Sequence, residues 1–281
     1  MKRSHEQAQV WRSAGLQNLE FMWATYINHS FPRHAHDTFG VGVVEQGCVE
    51  TFQGGEFHKI PAGSIVLFNP EDVHACSAAH ERGWTYRMFY PEENLIRQVA
   101  SELAEGQGVP FFPCATVQDR DLANQILHLH IVSTEMNSNL EKESHLLSTL
   151  ALLITRHARN QPSLSRASPE QQKLKQARDY LEAYYSSNIT LKDLAKVAEL
   201  EPLRLLRTFR KAFGLPPHQY LIQVRISSAK HALAKEMPIA EVAIATGFAD
   251  QSHLTRHFKR LVGVTPKQYV LGCKNVQDKT F

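Results

Sequence analysis

Two groups of residues in this chain have the types and spacing to do chemistry. The first is His34-x-His36, in the segment FPRHAHDTFGVGVVEQG, with His74 downstream in IPAGSIVLFNPEDVHA. Neutral imidazoles carry a nitrogen lone pair at physiological pH. Three of them brought together can hold a first-row metal ion or hydrogen-bond a small organic molecule. Glu45, Trp84, Tyr86 and Arg87 are the further polar and aromatic candidates for contact with such a molecule. The second group lies in the last third of the chain: Leu203, Arg204, Leu206, Arg207 and Arg210, and then Gln251, Ser252, Thr255, Arg256 and Lys259. Arg matches the edge of guanine with two hydrogen bonds, Gln that of adenine, and Ser or Thr either. Lys and Arg nearer a helix C-terminus hold phosphates, so this set fits the major groove of duplex DNA.

The second group is positioned by an internal repeat. LKDLAKVAELEPLRLLRTFRKAFGLPPHQY from Leu191 matches IAEVAIATGFADQSHLTRHFKRLVGVTPKQY from Ile239. The pairs Leu194/Val242, Ala195/Ala243, Leu205/Leu254, Arg207/Arg256, Phe209/Phe258, Gly214/Gly263 and Tyr220/Tyr269 fall in register. Each copy reads as a short helix, a break at ELEP or TGFAD, and a second helix that stops at a glycine, which is a helix-turn-helix. Thr190 and Asp193 form a capping-box pattern, Asp250 has the type of an N-cap, and Gly214 and Gly263 have that of left-handed C-caps. Leu205 and Phe209 in one copy, and Leu254, Phe258 and Leu261 in the other, form the inward stripe. The candidate DNA-contacting residues are what that stripe leaves outside. The helix expected between the copies, Pro217 to Lys235, spans roughly 28 Å at the α-helical rise. Neighbouring major-groove turns on one face of DNA lie about 34 Å apart, so one chain can reach both.

The histidine group belongs to a different kind of chain. Residues 21 to 90 read as short β runs punctuated by turns, the pattern of a small β sandwich or barrel. From Glu92 to Arg159 the period becomes helical, with Leu122, Ile126 and Leu129, then Leu146, Leu147, Leu150, Leu153 and Ile154. RNQPSLSRASPEQQ, residues 159 to 172, has the composition of a linker. The expected organisation is therefore an effector-binding and dimerisation domain over 1–160, a linker over 161–170 and a double helix-turn-helix domain over 171–281. Charge divides in the same place: residues 1–169 carry 13 Lys and Arg against 18 Asp and Glu, and residues 170–281 carry 18 against 10. A basic module of this kind seeks a polyanion. No apolar run reaches membrane-spanning length and no secretory h-region follows the start, so the expectation is a cytoplasmic protein with no membrane partner. Cys48, Cys76, Cys114 and Cys273 are scattered, the pattern of reduced thiols rather than of a disulfide framework or zinc finger.

The double helix-turn-helix resembles that of the AraC/XylS family of bacterial transcription regulators. The residues that carry the likeness are the Gly-Phe at 247–248, the Gln-Ser at 251–252, Arg-x-Phe-Lys at 256–259 and Gly-x-x-Pro-x-x-Tyr at 263–269, with LRTFRKAFGLPPHQYL in the first copy. The resemblance implies base reading by Leu203, Leu206 and Arg207 and by Gln251, Ser252, Thr255 and Arg256. The N-terminal half is similar to the cupin-type sensor domain of that family, which implies a cupin-like β-barrel followed by helices. The fold class expected is thus α+β and multidomain, the second domain being all-α with two helix-turn-helix motifs on a linker helix.

Enzymatic cupins bind a metal with His-x-His, a Glu three or four residues later and a downstream His. Gly40 and Val41 stand where that Glu would be. The expectation is a metal-free protein without cofactor, not an enzyme, whose small organic effector is held by His34, His36 and His74 and alters binding to operator DNA. The alternative is a metal-dependent cupin enzyme or metal sensor fused to the DNA-binding module. The leucine-rich stretch from Leu140 to Ile154 is more apolar than one packing face requires, which points to a homodimer. RNA polymerase is a further candidate partner.

Overall fold

The computed structural model describes residues 6–103, 109–134, 139–160 and 169–277. Most of the expected linker, and the side chain of Leu203, lie outside the described residues. Two compact units divide the chain, residues 1–31, 36–161 and 268–281 forming one and residues 32–35 and 162–267 the other. The strand Phe31–His34 hydrogen-bonds into the sheet and is described with it.

The first unit is built on strands β1 (Gln7–Ser13), β2 (Leu19–Tyr26), β3 (Phe31–His34), β4 (Gly40–Gln53), β5 (Glu56–Pro61), β6 (Ile65–Phe68), β7 (His74–Ala78) and β8 (Trp84–Tyr90). After them come α1 (Glu93–Leu103), β9 (Pro110–Phe111), β10 (Thr116–Val117), α2 (Arg120–Thr134), α3 (Asn139–His157) and β11 (Arg159–Asn160). One nine-stranded sheet runs in the order β1-β2-β8-β4-β6-β10, with β5 and β7 paired to β4 and β3 paired to β7. Its resolved pairings are antiparallel. The expected barrel is therefore an antiparallel sheet that does not close on itself.

The sheet has two chemically different faces because side chains alternate along each strand. One face carries Phe21, Val41, Val43, Ile65, Leu67 and Phe89 into a core shared with Ile96 and Val99 of α1, Leu122, Ile126 and Leu129 of α2, and Leu146, Leu150, Leu153 and Ile154 of α3. The helical period read from the sequence is the packing period here. Leu147 departs from it and stays 43% exposed, since it lies one position round the helix from the buried stripe. Each fully buried Leu or Ile removes apolar surface worth roughly 1.5–3 kcal/mol from water, so this seam holds α2 and α3 to the sheet.

The second unit holds α4 (Pro169–Ala183), α5 (Leu191–Val197), α6 (Pro202–Phe213), α7 (Pro217–Ala234), α8 (Ile239–Ala245) and α9 (Gln251–Val262), and α10 (Pro266–Gln277) ends the described chain. Leu174, Ala177 and Leu181 of α4 pack with Leu194, Ala195, Leu205 and Phe209 in one core. The 18 residues of α7 extend about 27 Å at the α-helical rise. No helix among the described residues is long and apolar enough to cross a membrane.

Candidate DNA-reading helices and sensor site

Both helix-turn-helix units are set by their caps. Asp193 N donates to the Thr190 hydroxyl at 3.1 Å and Thr190 N donates to Asp193 Oδ2 at 3.2 Å, the reciprocal box that starts α5. The Asp250 carboxylate accepts from His253 N at 2.7 Å and starts α9. α6 and α9 both stop at a glycine in the left-handed region, Gly214 at φ 72° and Gly263 at φ 84°, where a side chain would be strained. The apolar-Ala pairs Leu194-Ala195 and Val242-Ala243 are buried, as are Leu205, Phe209, Leu254 and Phe258. Leu261 is only half-buried.

What remains outside these stripes is the set expected to touch DNA. Arg207, Arg210, Gln251, Ser252, Arg256 and Lys259 are exposed, and Leu206 and Thr255 are half-buried. Arg204 is exposed as well, and its Nη2 donates to Glu170 Oε1 of α4 at 3.0 Å. The sequence pattern did not single out His253 and His257, which lie one turn apart on α9 with ring centroids 4.8 Å apart and both against Phe248. Burial and the neighbouring His253, Arg256 and Arg260 lower the pKa of His257 from its ordinary value. The i,i+4 spacing was the signal available for this pair.

The sensor residues are distributed by strand register. Pairing of β2 with β8 sets Met22, Ala24 and Tyr26 opposite Met88, Tyr86 and Trp84, all on the face turned from the helices. The rings of Tyr26 lie 5.6 Å from Trp84, 6.1 Å from Tyr86 and 5.3 Å from Phe31. The Tyr86 and Tyr90 hydroxyls donate to Met22 Sδ at 3.6 and 3.7 Å. Burial holds the phenols of Tyr26, Tyr86 and Tyr90 well above their ordinary range, so all three stay neutral. Tyr86 and Tyr90 nevertheless keep partial exposure.

The three histidines join this aromatic wall. The ring of His36 lies 5.6 Å from Tyr90 and 5.0 Å from His74, and His74 stacks on Phe68 at 3.7 Å with the planes 10° apart. Among the described residues, His34, His36 and His74 are the one group of three or more His, Cys, Asp or Glu side chains close enough to share a metal ion. Their ligand atoms lie within 4.8 Å of one another. His34 and His74 are buried and His36 is half-buried. Deep burial, opposed in part by the hydrogen bond to the Pro32 carbonyl, brings the His34 pKa down to about 4, so its ring is neutral.

Glu45 and Arg87 are not part of this arrangement. They fall on the opposite parity, with Phe21 and Phe89, and there Arg87 Nε donates to Glu45 Oε1 at 2.8 Å while Trp23 Nε1 donates to Glu45 Oε2 at 3.0 Å. Of the seven sensor candidates the structure thus brings together His34, His36, His74, Trp84 and Tyr86 and sets Glu45 and Arg87 apart. Tyr26, Tyr90, Met22 and Phe68 complete the wall and were not read from the sequence. Their parity with Tyr86 and His74 would have found them had the strand pairing been known.

Comparison with known proteins decides the family. The family model for the AraC-like ligand binding domain matches residues 18–150, and that for a helix-turn-helix domain matches residues 194–271. The HTH-type transcriptional regulator YbfI of Bacillus subtilis (strain 168) is 33% identical over 228 residues, 81% of this chain and 82% of its own. The chain belongs to the AraC family of transcriptional regulators. It is also similar to the HTH-type transcriptional activator RhaS of Klebsiella pneumoniae (strain 342), 24% identical over 244 residues, 85% of this chain and 87% of that one. In fold it is similar to ToxT from Vibrio cholerae strain SCE256, solved with an unsaturated fatty acid bound, with a TM-score of 0.58 at 13% identity over 98% of this chain and 99% of that one. An AraC-type ligand-binding domain and a DNA-binding helix-turn-helix domain in one chain make this member of the AraC family a ligand-responsive transcriptional regulator.

Proposed function

We propose that this regulator reads its operator with α6 and α9 and senses a small organic effector at the aromatic and imidazole wall of the sheet. Base edges are read by Leu203, Leu206 and Arg207 of the first copy and by Gln251, Ser252, Thr255 and Arg256 of the second. Arg210 and Lys259 hold phosphates, and Arg204 contributes charge beside its partner Glu170. In the sensing domain, residues 1–160, the effector contacts His34, His36, His74, Trp84 and Tyr86. The segment 161–170 links it to the reading domain, residues 171–281. Glu45 and Arg87 serve the packing of the sheet instead of the ligand.

The observation that carries this reading is the division of the sheet into a helix-covered apolar face and a face of neutral phenols, indole and imidazoles. Ligand sites combine apolar walls with a few placed polar groups in this way. The protein is not an enzyme in this reading, and it acts in the cytoplasm, where its DNA is. The half-exposed Ile131 of α2 and Leu147 of α3 support a homodimer through those helices, which doubles the groove contacts. RhaS is named an activator, and activation through RNA polymerase is the mode proposed here. A thermal-shift screen of small-molecule classes tests the sensor: a true effector raises the melting temperature and changes the operator footprint. The reading is wrong if compounds that stabilise the protein leave operator binding unchanged, or if His36→Ala and Tyr86→Phe leave the response to such an effector intact.

A further inference from the structure

We propose that His34, His36 and His74 hold a late first-row divalent metal ion, and that this ion is the polar anchor of the sensor site. The inference rests on the sensor reading above for its location and names the chemistry of its ligand.

The tautomers are already set for the task. His34 Nδ1 lies 2.8 Å from the carbonyl oxygen of Pro32, and His74 Nδ1 lies 2.8 Å from that of Asp72. A carbonyl oxygen only accepts, so each Nδ1 carries the hydrogen and the lone pair of the neutral ring stands on Nε2. Metal-binding histidines are oriented by the same device, the second ring nitrogen donating to a backbone carbonyl. Both rings repeat one local pattern, a side chain bonded to the carbonyl two residues before it. Phe68, stacked on His74, fixes the plane of that ring in addition.

The spacing asks for a small closure. Nitrogens bound to one ion at 2.0–2.1 Å lie about 3.4 Å apart in a tetrahedral set, and the three here lie within 4.8 Å of one another. His34 and His74 sit on paired strands, whereas His36 lies beyond the end of β3 in the turn before β4. Binding one ion therefore asks the rings to draw together by about 1 Å, and His36, outside the strands, is the least constrained of the three. Three imidazoles without a carboxylate favour zinc, nickel, copper or cobalt over magnesium or calcium. Three protein ligands also leave coordination positions for an outside donor, as three-ligand zinc sites do. The ring of Tyr90 lies 5.6 Å from that of His36, so the three-histidine group borders the aromatic wall.

The test uses the full chain, stripped of metal by chelator dialysis and free of any affinity tag. Cobalt(II) is titrated in while its visible absorption is followed, and zinc uptake is measured by elemental analysis after gel filtration. The expected result is one ion per chain, lost in His36→Ala and in His74→Ala, with both variants still melting cooperatively. His36→Ala is the informative variant if a change at a buried ring prevents folding, because His36 is half-buried and outside the strands. Uptake below one ion per chain, or equal uptake in the wild type and His36→Ala, overturns the metal site. The sensor reading is scored separately, by the thermal-shift screen on the stripped protein: an organic effector that acts there without metal keeps that reading and removes this one. Stoichiometric, His36-dependent metal in a protein whose operator binding answers to no ligand establishes the site and removes the sensor reading.

Discussion

Arg87 Nε donates to Glu45 Oε1 at 2.8 Å on the sheet face opposite Trp84 and Tyr86. Both side chains are about a quarter exposed, and Trp23 ties the same carboxylate from β2. This pair therefore closes the edge of the helix-covered core. Glu45→Gln is expected to cost about 1 kcal/mol or less, a loss of a few degrees in melting temperature. It should leave the effector response unchanged. A melting curve and an effector titration of the same variant check both halves. Loss of the response at unchanged stability would return Glu45 to the ligand site.

Arg256 and Lys259 are both exposed on α9, three residues apart, and are expected to differ in what they report. Arg256→Ala should lose roughly 1–3 kcal/mol of operator binding and relax specificity at one base position. Lys259→Ala should weaken binding to all sequences alike and reduce the salt slope by about one. Footprinting with a salt titration separates them. Equal loss of specificity in both would mean that α9 lies differently in the groove.

Much of this was legible in the sequence, and the reasons differ by region. The helix-turn-helix pairs could be read because caps, inward stripe and stop signals are local: Thr190, Asp250, Gly214 and Gly263 do their work within one turn of themselves. The ion pair of Arg204 with Glu170 could not be read locally, because the two lie 34 residues apart. His34, His36 and His74 could be gathered by residue type, since few other histidines stand at such spacing. Glu45 and Arg87 could not be sorted from Trp84 and Tyr86, because a strand's parity has meaning only once its neighbour and register are known. β4 also carries an irregularity between Val44 and Gln46, which shifts parity beside Glu45 itself.

Asp250 provides a second test of the reading helix. Its carboxylate caps α9 by accepting from His253 N, and Gln251 and Ser252 follow it directly. Asp250→Ala should cost about 1 kcal/mol of stability through the lost cap. It should also weaken operator binding, because Gln251 and Ser252, the residues proposed to read bases, stand in the turn that frays. Asp250→Asn keeps an accepting oxygen and should recover most of both. Circular dichroism melts and a gel-shift titration of the two variants decide it: equal binding by Asp250→Ala and the wild type would show that the cap does not organise the reading turn.

His130 makes the first unit sensitive to acid. The ring is fully buried between α2 and the sheet, edge-on to Phe21 at 5.1 Å and to Trp11 at 5.6 Å, and neither ring nitrogen has a hydrogen-bond partner. Burial, and then the nearby positive charge of Arg87, push its pKa well below the ordinary 6.5. Below pH 6.5 the unfolded chain binds a proton here that the folded chain does not, so stability falls as the pH falls, by at most about 1.4 kcal/mol per pH unit for one proton. His34, held down to about 4, adds a second contribution over the window from 6.5 to about 4. Above 6.5 both rings are neutral in either state and neither contributes a slope. Met in place of His130 fills a similar volume without a titrating group. His130→Met should therefore melt higher than the wild type at pH 5 and lose part, not all, of the slope between pH 6.5 and 5. Melting temperatures of the two proteins at half-unit pH intervals measure this, and parallel curves would show that His130 takes up its proton in the folded state as readily as in the unfolded one.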